Sequence, residues 1–206
     1  ALVVAGMALV CMERVDAAEK YLAQAHGAEA DRADLRMALG ALESLRGDHG
    51  TSVRHFEAAC RLASESWETH LFLGRALMAL AARTAHNRLV ERASYHLVRA
   101  MRLDPTPDQH PQILRDMGLC CMKTGRSKEA QRFFIRLREN PDHAAIAKFH
   151  LGQVAYESGK YNNAIQHFRA YLRERPDDTN VLAKMAMAWF QMGDFSKARE
   201  ACHKAL

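Results

Sequence analysis

Residues 149–178 read FHLGQVAYESGKYNNAIQHFRAYLRERPDD. Gly152 and Ala164 lack bulk, so the segments that carry them can approach closely; Gly159 marks a turn between them, and Pro176 cannot continue a helix. The stretch therefore predicts two helices joined by a short turn and closed by a proline. The pattern recurs at a step of 34 residues: Gly152 is followed by Ala186, Gly159 by Gly193, Tyr161 by Phe195 and Ala164 by Ala198. One step earlier stand Gly118, Gly125 and Ala130, and further upstream Gly74, Gly40 with Gly47, and Gly6 with Ala18.

Six repeats follow, at 1–32, 33–66, 67–110, 111–144, 145–178 and 179–206, the first and last incomplete. Composition agrees with helix throughout. Of 206 residues 49% are hydrophobic and 7% aromatic, with few Gly and Pro, which favours helix over strand. Helical periodicity alone would give apolar stripes but not glycines held at one long interval. The third repeat breaks the count: seven residues are added around LAARTAHNRLVERA, between Gly74 and Ala93, and three more after Pro105 in TPDQH. About two turns of added helix lengthen a hairpin while preserving its buried face. The tip so formed carries Arg83, His86, Asn87 and Arg88, either toward a partner or as an addition tolerated at an exposed turn.

Each repeat resembles the tetratricopeptide repeat, with Leu-Gly in a first helix A, an aromatic after the turn, Ala in a second helix B and Pro at the close. The resemblance covers the whole chain. It implies an all-α fold, a right-handed superhelical solenoid of antiparallel helix pairs in a single domain. Departures are Ser52 where Ala is usual, Ser64 where the closing Pro is expected, and Pro141 one place early. A solenoid needs polar capping at its ends. The apolar Ala1–Cys11 and the stop at Leu206 supply none, so a fragment of a longer chain is expected, with self-association through the ends as a further possibility. Ala1–Cys11 also resembles the apolar part of a secretory signal, but it lacks a basic start and has Val10 where a small residue is wanted.

Catalytic chemistry is not legible. GQVAYESGK separates Gly152 from Gly159 by six residues and follows Lys160 with Tyr161, unlike a phosphate-binding loop. Eleven histidines offer no pair at metal-binding spacing, His143 with His150 and His49 with His55 included, and five cysteines lie inside apolar helical patterns. Neither enzyme activity, a cofactor nor a metal is expected, and the thiols are expected to be free in a reducing, cytoplasmic setting. The net charge of +5 is polarised, with 7 basic and 10 acidic residues over 1–66 against 22 and 14 over 67–206. The acids are interleaved and no aromatic platform accompanies them, so a protein partner is favoured over RNA.

The resemblance further implies that helix A lines a concave groove through places 2, 5, 6, 9, 12 and 13 of each repeat. The groove residues carried over are Phe72, Arg75 and Met78 of the third repeat and Arg115, Leu119 and Met122 of the fourth. The fifth adds Phe149, Gln153 and Tyr156, and the sixth Lys184, Met187 and Phe190. Neither specialised subtype is matched. The chaperone-binding carboxylate clamp meets Leu71, Arg75, Asp116, Ile146 and His150, and the Asn ladder of sugar transferases meets Val4, Ala38, Phe72, Asp116, His150 and Lys184. The expected function is a non-catalytic scaffold or adaptor whose groove takes a peptide or amphipathic helix of a partner protein, acidic partners included. The alternatives are an RNA-binding solenoid and the substrate-recruiting arm of a larger enzyme.

Overall fold

The computed structural model describes residues 1–28, 32–84, 86–104, 106 and 110–205. Pro105 and three residues of the TPDQH segment, together with Leu206, lie outside this set. Among the described residues there are twelve α-helices and no strand. They form two compact bodies, Ala1–Pro105 and Thr106–Leu206. The first holds α1 (Leu2–Cys11), α2 (Val15–Ala28), α3 (Ala33–Arg46), α4 (His49–Leu62), α5 (Trp67–Thr84) and α6 (Asn87–Leu103). The second holds α7 (Pro111–Lys123), α8 (Ser127–Arg138), α9 (Ala144–Glu157), α10 (Tyr161–Leu172), α11 (Thr179–Gln191) and α12 (Phe195–Ala205). Each odd-numbered helix packs on the next as a hairpin, giving three pairs in either body.

The repeating glycine has a partner. A Cβ on Gly6 would lie 2.5 Å from Leu22, on Gly40 2.8 Å from Phe56, on Gly118 2.5 Å from Phe134 and on Gly152 2.5 Å from Phe168. Each large side chain comes from helix B of the same pair and is almost fully buried. The glycine is thus a socket for that side chain, which explains why it recurs at the repeat interval. In the third pair a Cβ on Gly74 would meet Leu97 at 2.8 Å, the knob displaced by the added residues.

Four helices A end on glycines in the left-handed region, Gly47, Gly125, Gly159 and Gly193, with φ between 71 and 77°. In each, the amide after the glycine donates to the carbonyl five residues back, as Lys160 does to Ala155, so the turn satisfies carbonyls that the helix leaves open. Ala81 occupies this place in the third repeat, and α5 runs on to Thr84. Loss of the glycine stop accounts for the long α5, which has 18 residues where α3 has 14. Arg83 turns back from that helix and donates to the Gly47 carbonyl at 3.0 Å.

The departures from the repeat pattern have local solutions. Ser52 is fully buried, and its hydroxyl donates to the Gly40 carbonyl at 2.9 Å and meets Ser44 Oγ at 2.7 Å. Pro141 opens a 3-10 turn, Pro141–His143, directly before α9. At the N-terminus Val3, Gly6 and Val10 of α1 are buried against α2 and α3, so this apolar run is a packed helix of the array.

Candidate protein-binding groove

The second body brings together part of the expected groove. Gln153 and Tyr156 project from the C-terminal half of α9, and Lys184 and Met187 face them from α11. With Glu157 and Phe168 they line a hollow of about 180 Å³. Tyr156 and Met187 also border a larger adjoining cleft of about 700 Å³, continued by Phe190, Phe195 and Cys202. Met187 is 54% exposed, Phe190 59% and Phe195 64%, with the two phenylalanine rings edge to face at 5.4 Å.

These two hollows differ in kind. The larger lies on α11 and α12, and its Phe195, Ala198 and Cys202 are one repeat beyond Tyr161, Ala164 and Phe168. In the preceding pair α10 packs against α11, and Ala164 and Phe168 share a cluster with Val181. The cleft is therefore the surface that the preceding pair covers with the next helix. The smaller hollow lies between two successive helices A, where Lys184 and Glu157 add opposite charges to an apolar floor.

Other groove residues are engaged differently. Phe149 sits in an aromatic cluster with His150, Phe168 and Tyr171, at ring separations of 5.2, 6.3 and 5.7 Å. Leu119 and Met122 are half-buried against the core around Phe134, and Arg115 donates to Asp116 at 3.0 Å. His150, buried and stacked on Phe134, donates one hydrogen bond from Nδ1 to Gln153 Oε1 at 2.8 Å. Burial holds its pKa below the ordinary value, against the opposing pull of that bond.

In the first body Phe72 stacks on Phe56 at 5.7 Å, Arg75 lies over the Phe72 ring at 5.7 Å, and Met78 packs on the same core. Phe72 and Arg75 line a cleft of about 400 Å³ with Met7, Cys11 and Ala41. A second of about 630 Å³ runs past Val4, Met7, Cys11 and Met37. These residues of α1 and α3 occupy places 5, 6, 9 and 13 of their repeats. The same register, extended to the first two repeats, finds them.

A separate cluster joins three helices of this body. Cys60 of α4, His70 of α5 and His96 of α6 bring one ligand atom each to within 4.8 Å of one another. Spacings of 10 and 26 residues conceal it from any local motif. His70 Nε2 is 3.1 Å from the Ser64 carbonyl and its Nδ1 is 2.9 Å from His96 Nδ1. Burial first, then the neighbouring His70 and Arg92, depress the pKa of His96 to about 4, while burial raises that of the Cys60 thiol. None of the five cysteines, all among the described residues, is joined in a disulfide.

Helical pairs, each packed on the next within either body, define a helical-repeat fold. Residues 115–179 and 155–206 each match a tetratricopeptide repeat family model, so the chain carries tetratricopeptide repeats over residues 115–206. Such repeats generally mediate protein–protein interaction and are generally non-catalytic. Among solved structures, PilW, a widely conserved type IV pilus biogenesis factor, is similar with a TM-score of 0.82 at 14% identity, over 97% of this chain and 88% of that one. A chain of the APC/C hetero-tetramer Cut9–Hcn1 gives 0.77 at 18% identity over all of this chain, which spans 39% of its length. YrrB, a tetratricopeptide-repeat protein with an unusual peptide-binding site, gives 0.65 at 16% identity, over 89% and 90% of the two chains. At these identities the likeness is one of fold. No described helix is long and apolar enough to cross a membrane.

Proposed function

We propose that the hollow between α9 and α11 binds an extended or helical segment of a protein partner. The observation that carries this reading is the convergence of Gln153, Tyr156, Lys184 and Met187 from two successive helices A on one apolar recess. Tyr156 supplies a rigid ring with a polar tip, and Met187 an unbranched side chain that repacks around differing ligands. Lys184 orients an acidic group of the ligand, and Gln153 offers both a donor and an acceptor. The peptide-binding site named for YrrB, on a similar fold, supports a peptide as the ligand class.

The test is selection of peptides from a displayed random library on the full chain, followed by calorimetry of the selected peptides. The expected winners pair a large apolar residue with a nearby Asp or Glu, and Tyr156→Ala weakens them by about 1–3 kcal/mol with unchanged helicity, as a central aromatic anchor does. Selected peptides that bind Tyr156→Ala and Met187→Ala as tightly as the wild type would remove this recess from consideration. A ligand whose affinity collapses with added salt, without apolar requirement, would indicate a phosphate-driven partner instead.

A further inference from the structure

We propose that Cys60, His70 and His96 form a binding site for a zinc-class divalent transition-metal ion, with the fourth position left to water. Two imidazoles and a thiolate are a donor set suited to such an ion, and three protein ligands with one open position is a known arrangement for zinc.

The orientation of His70 is fixed before any ion arrives. Its Nε2 lies 3.1 Å from the Ser64 carbonyl, which can only accept, so Nε2 carries the hydrogen and Nδ1 is left with a free lone pair. A ring N–H donated to a backbone carbonyl is the usual support behind a metal-bound histidine. Ser64 stands where the repeat pattern has its closing proline, so this carbonyl belongs to a departure from the pattern. His70 is only 5% exposed, and its ring is held by the fold.

The other two ligands converge on that lone pair. His96 Nδ1 is 2.9 Å and Cys60 Sγ 4.0 Å from His70 Nδ1. Zinc bonds of about 2.0–2.3 Å in tetrahedral geometry set such atoms roughly 3.3–3.6 Å apart. The observed pair of distances brackets that range. The imidazole centres are 5.1 Å apart, much farther than the nitrogens, so the two Nδ1 atoms face each other between the rings. Without an ion this is a hydrogen bond from His96 Nδ1–H to His70 Nδ1. On binding, small turns of both rings and a shift of Cys60 place the metal where the proton stood. The His96 proton moves to Nε2, and the Cys60 thiol releases its own, so one proton leaves per ion bound. Cys60 and His96 are partly exposed, which gives the ion a path from solvent.

The experiment uses the full chain stripped with a chelator and titrated with Zn(II) alone, then with Co(II) as a spectroscopic reporter. One Zn(II) per chain, one proton released per ion by calorimetry in buffers of differing ionisation enthalpy, and a thiolate-to-cobalt charge-transfer band are expected. Cys60→Ser should abolish that band, and His96→Gln should weaken Zn(II) binding at least tenfold. His96 lies at a half-exposed helix surface, so circular dichroism of His96→Gln serves as the check that the fold persists. Zn(II) binding of equal strength in both variants, or Co(II) bound without the charge-transfer band, would overturn the site and assign the metal to surface histidines.

Discussion

The fifth and sixth pairs share a backbone plan and differ in what fills it. In α9–α10 Gly152 receives the ring of Phe168, which is almost wholly buried. In α11–α12 the same two places carry Ala186 and Cys202, and Cys202 is exposed. A methyl group on the socket side goes with a small side chain on the knob side, so the two positions vary as a unit of shape. Beside the smaller knob Phe190 and Phe195 stand open to solvent, whereas Tyr171, Phe149 and Phe168 close the fifth pair into an aromatic cluster. Packing of the fifth pair is set by one interlocking contact, and the sixth does without it.

The largest expected effect follows from that contrast. Phe168→Ala empties a filled socket and should cost about 3–5 kcal/mol, whereas Cys202→Ala removes a single exposed sulfur and should lie within about 0.5 kcal/mol of the wild type. Urea denaturation of the two variants, followed by far-ultraviolet circular dichroism, makes the comparison. Equal losses would mean that the sixth pair depends on its knob as the fifth does.

Overfilling the socket is the milder form of the same test. In Gly152→Ala the new methyl would stand 2.5 Å from Phe168, and a buried ring has little room to yield. Overpacking of about 1–3 kcal/mol is opposed by about 1 kcal/mol of improved helix propensity, so a net loss near 1 kcal/mol is expected. The double variant Gly152→Ala with Phe168→Leu, which restores a small-against-medium pairing, should be less destabilised than the sum of its single changes. Simple additivity in the denaturation midpoints would show that the ring and the glycine do not interlock.

The helix pairs were legible because their marks are local and periodic. A glycine that accepts a ring sixteen residues on, and a second that turns the chain out of helix A, repeat at one interval and survive in the sequence as spacing. Even the long α5 is readable, since Ala81 sits where four other repeats place the turn glycine. The site was legible only in part. Gln153, Tyr156, Lys184 and Met187 meet because places on successive helices A face one another, which the register anticipates. Phe149 shares the concave register but is drawn into the aromatic cluster by Phe168 and Tyr171, and no spacing rule gives the size of its neighbours. Cys60, His70 and His96 belong to three helices and to no repeated place, so their convergence appears only once α4, α5 and α6 are packed.

The smallest expected effect concerns the first pair, where the turn differs in residue type but not in backbone. Helix α1 leaves through Glu13 at φ 57°, the place that glycine holds in α3, α7, α9 and α11. Its hydrogen bonds match theirs, with Glu13 N–H donating to Val10 O at 3.0 Å and Arg14 N–H to Leu9 O at 2.9 Å. The left-handed conformation costs an ordinary residue about 1–2 kcal/mol, against roughly 0.5–1 kcal/mol of extra chain entropy that glycine must lose on folding. The balance favours glycine, and Glu13→Gly should stabilise the first pair by about 0.5–1 kcal/mol while Gly159→Ala, its mirror in the fifth, destabilises by a similar amount. Because the side chain of Glu13 is exposed, little packing changes with it. Amide hydrogen exchange in α1 and α2 is the direct readout, since it follows opening of this pair alone. Faster exchange in Glu13→Gly than in the wild type would mean that the glutamate makes a contribution at this turn that outweighs its backbone strain.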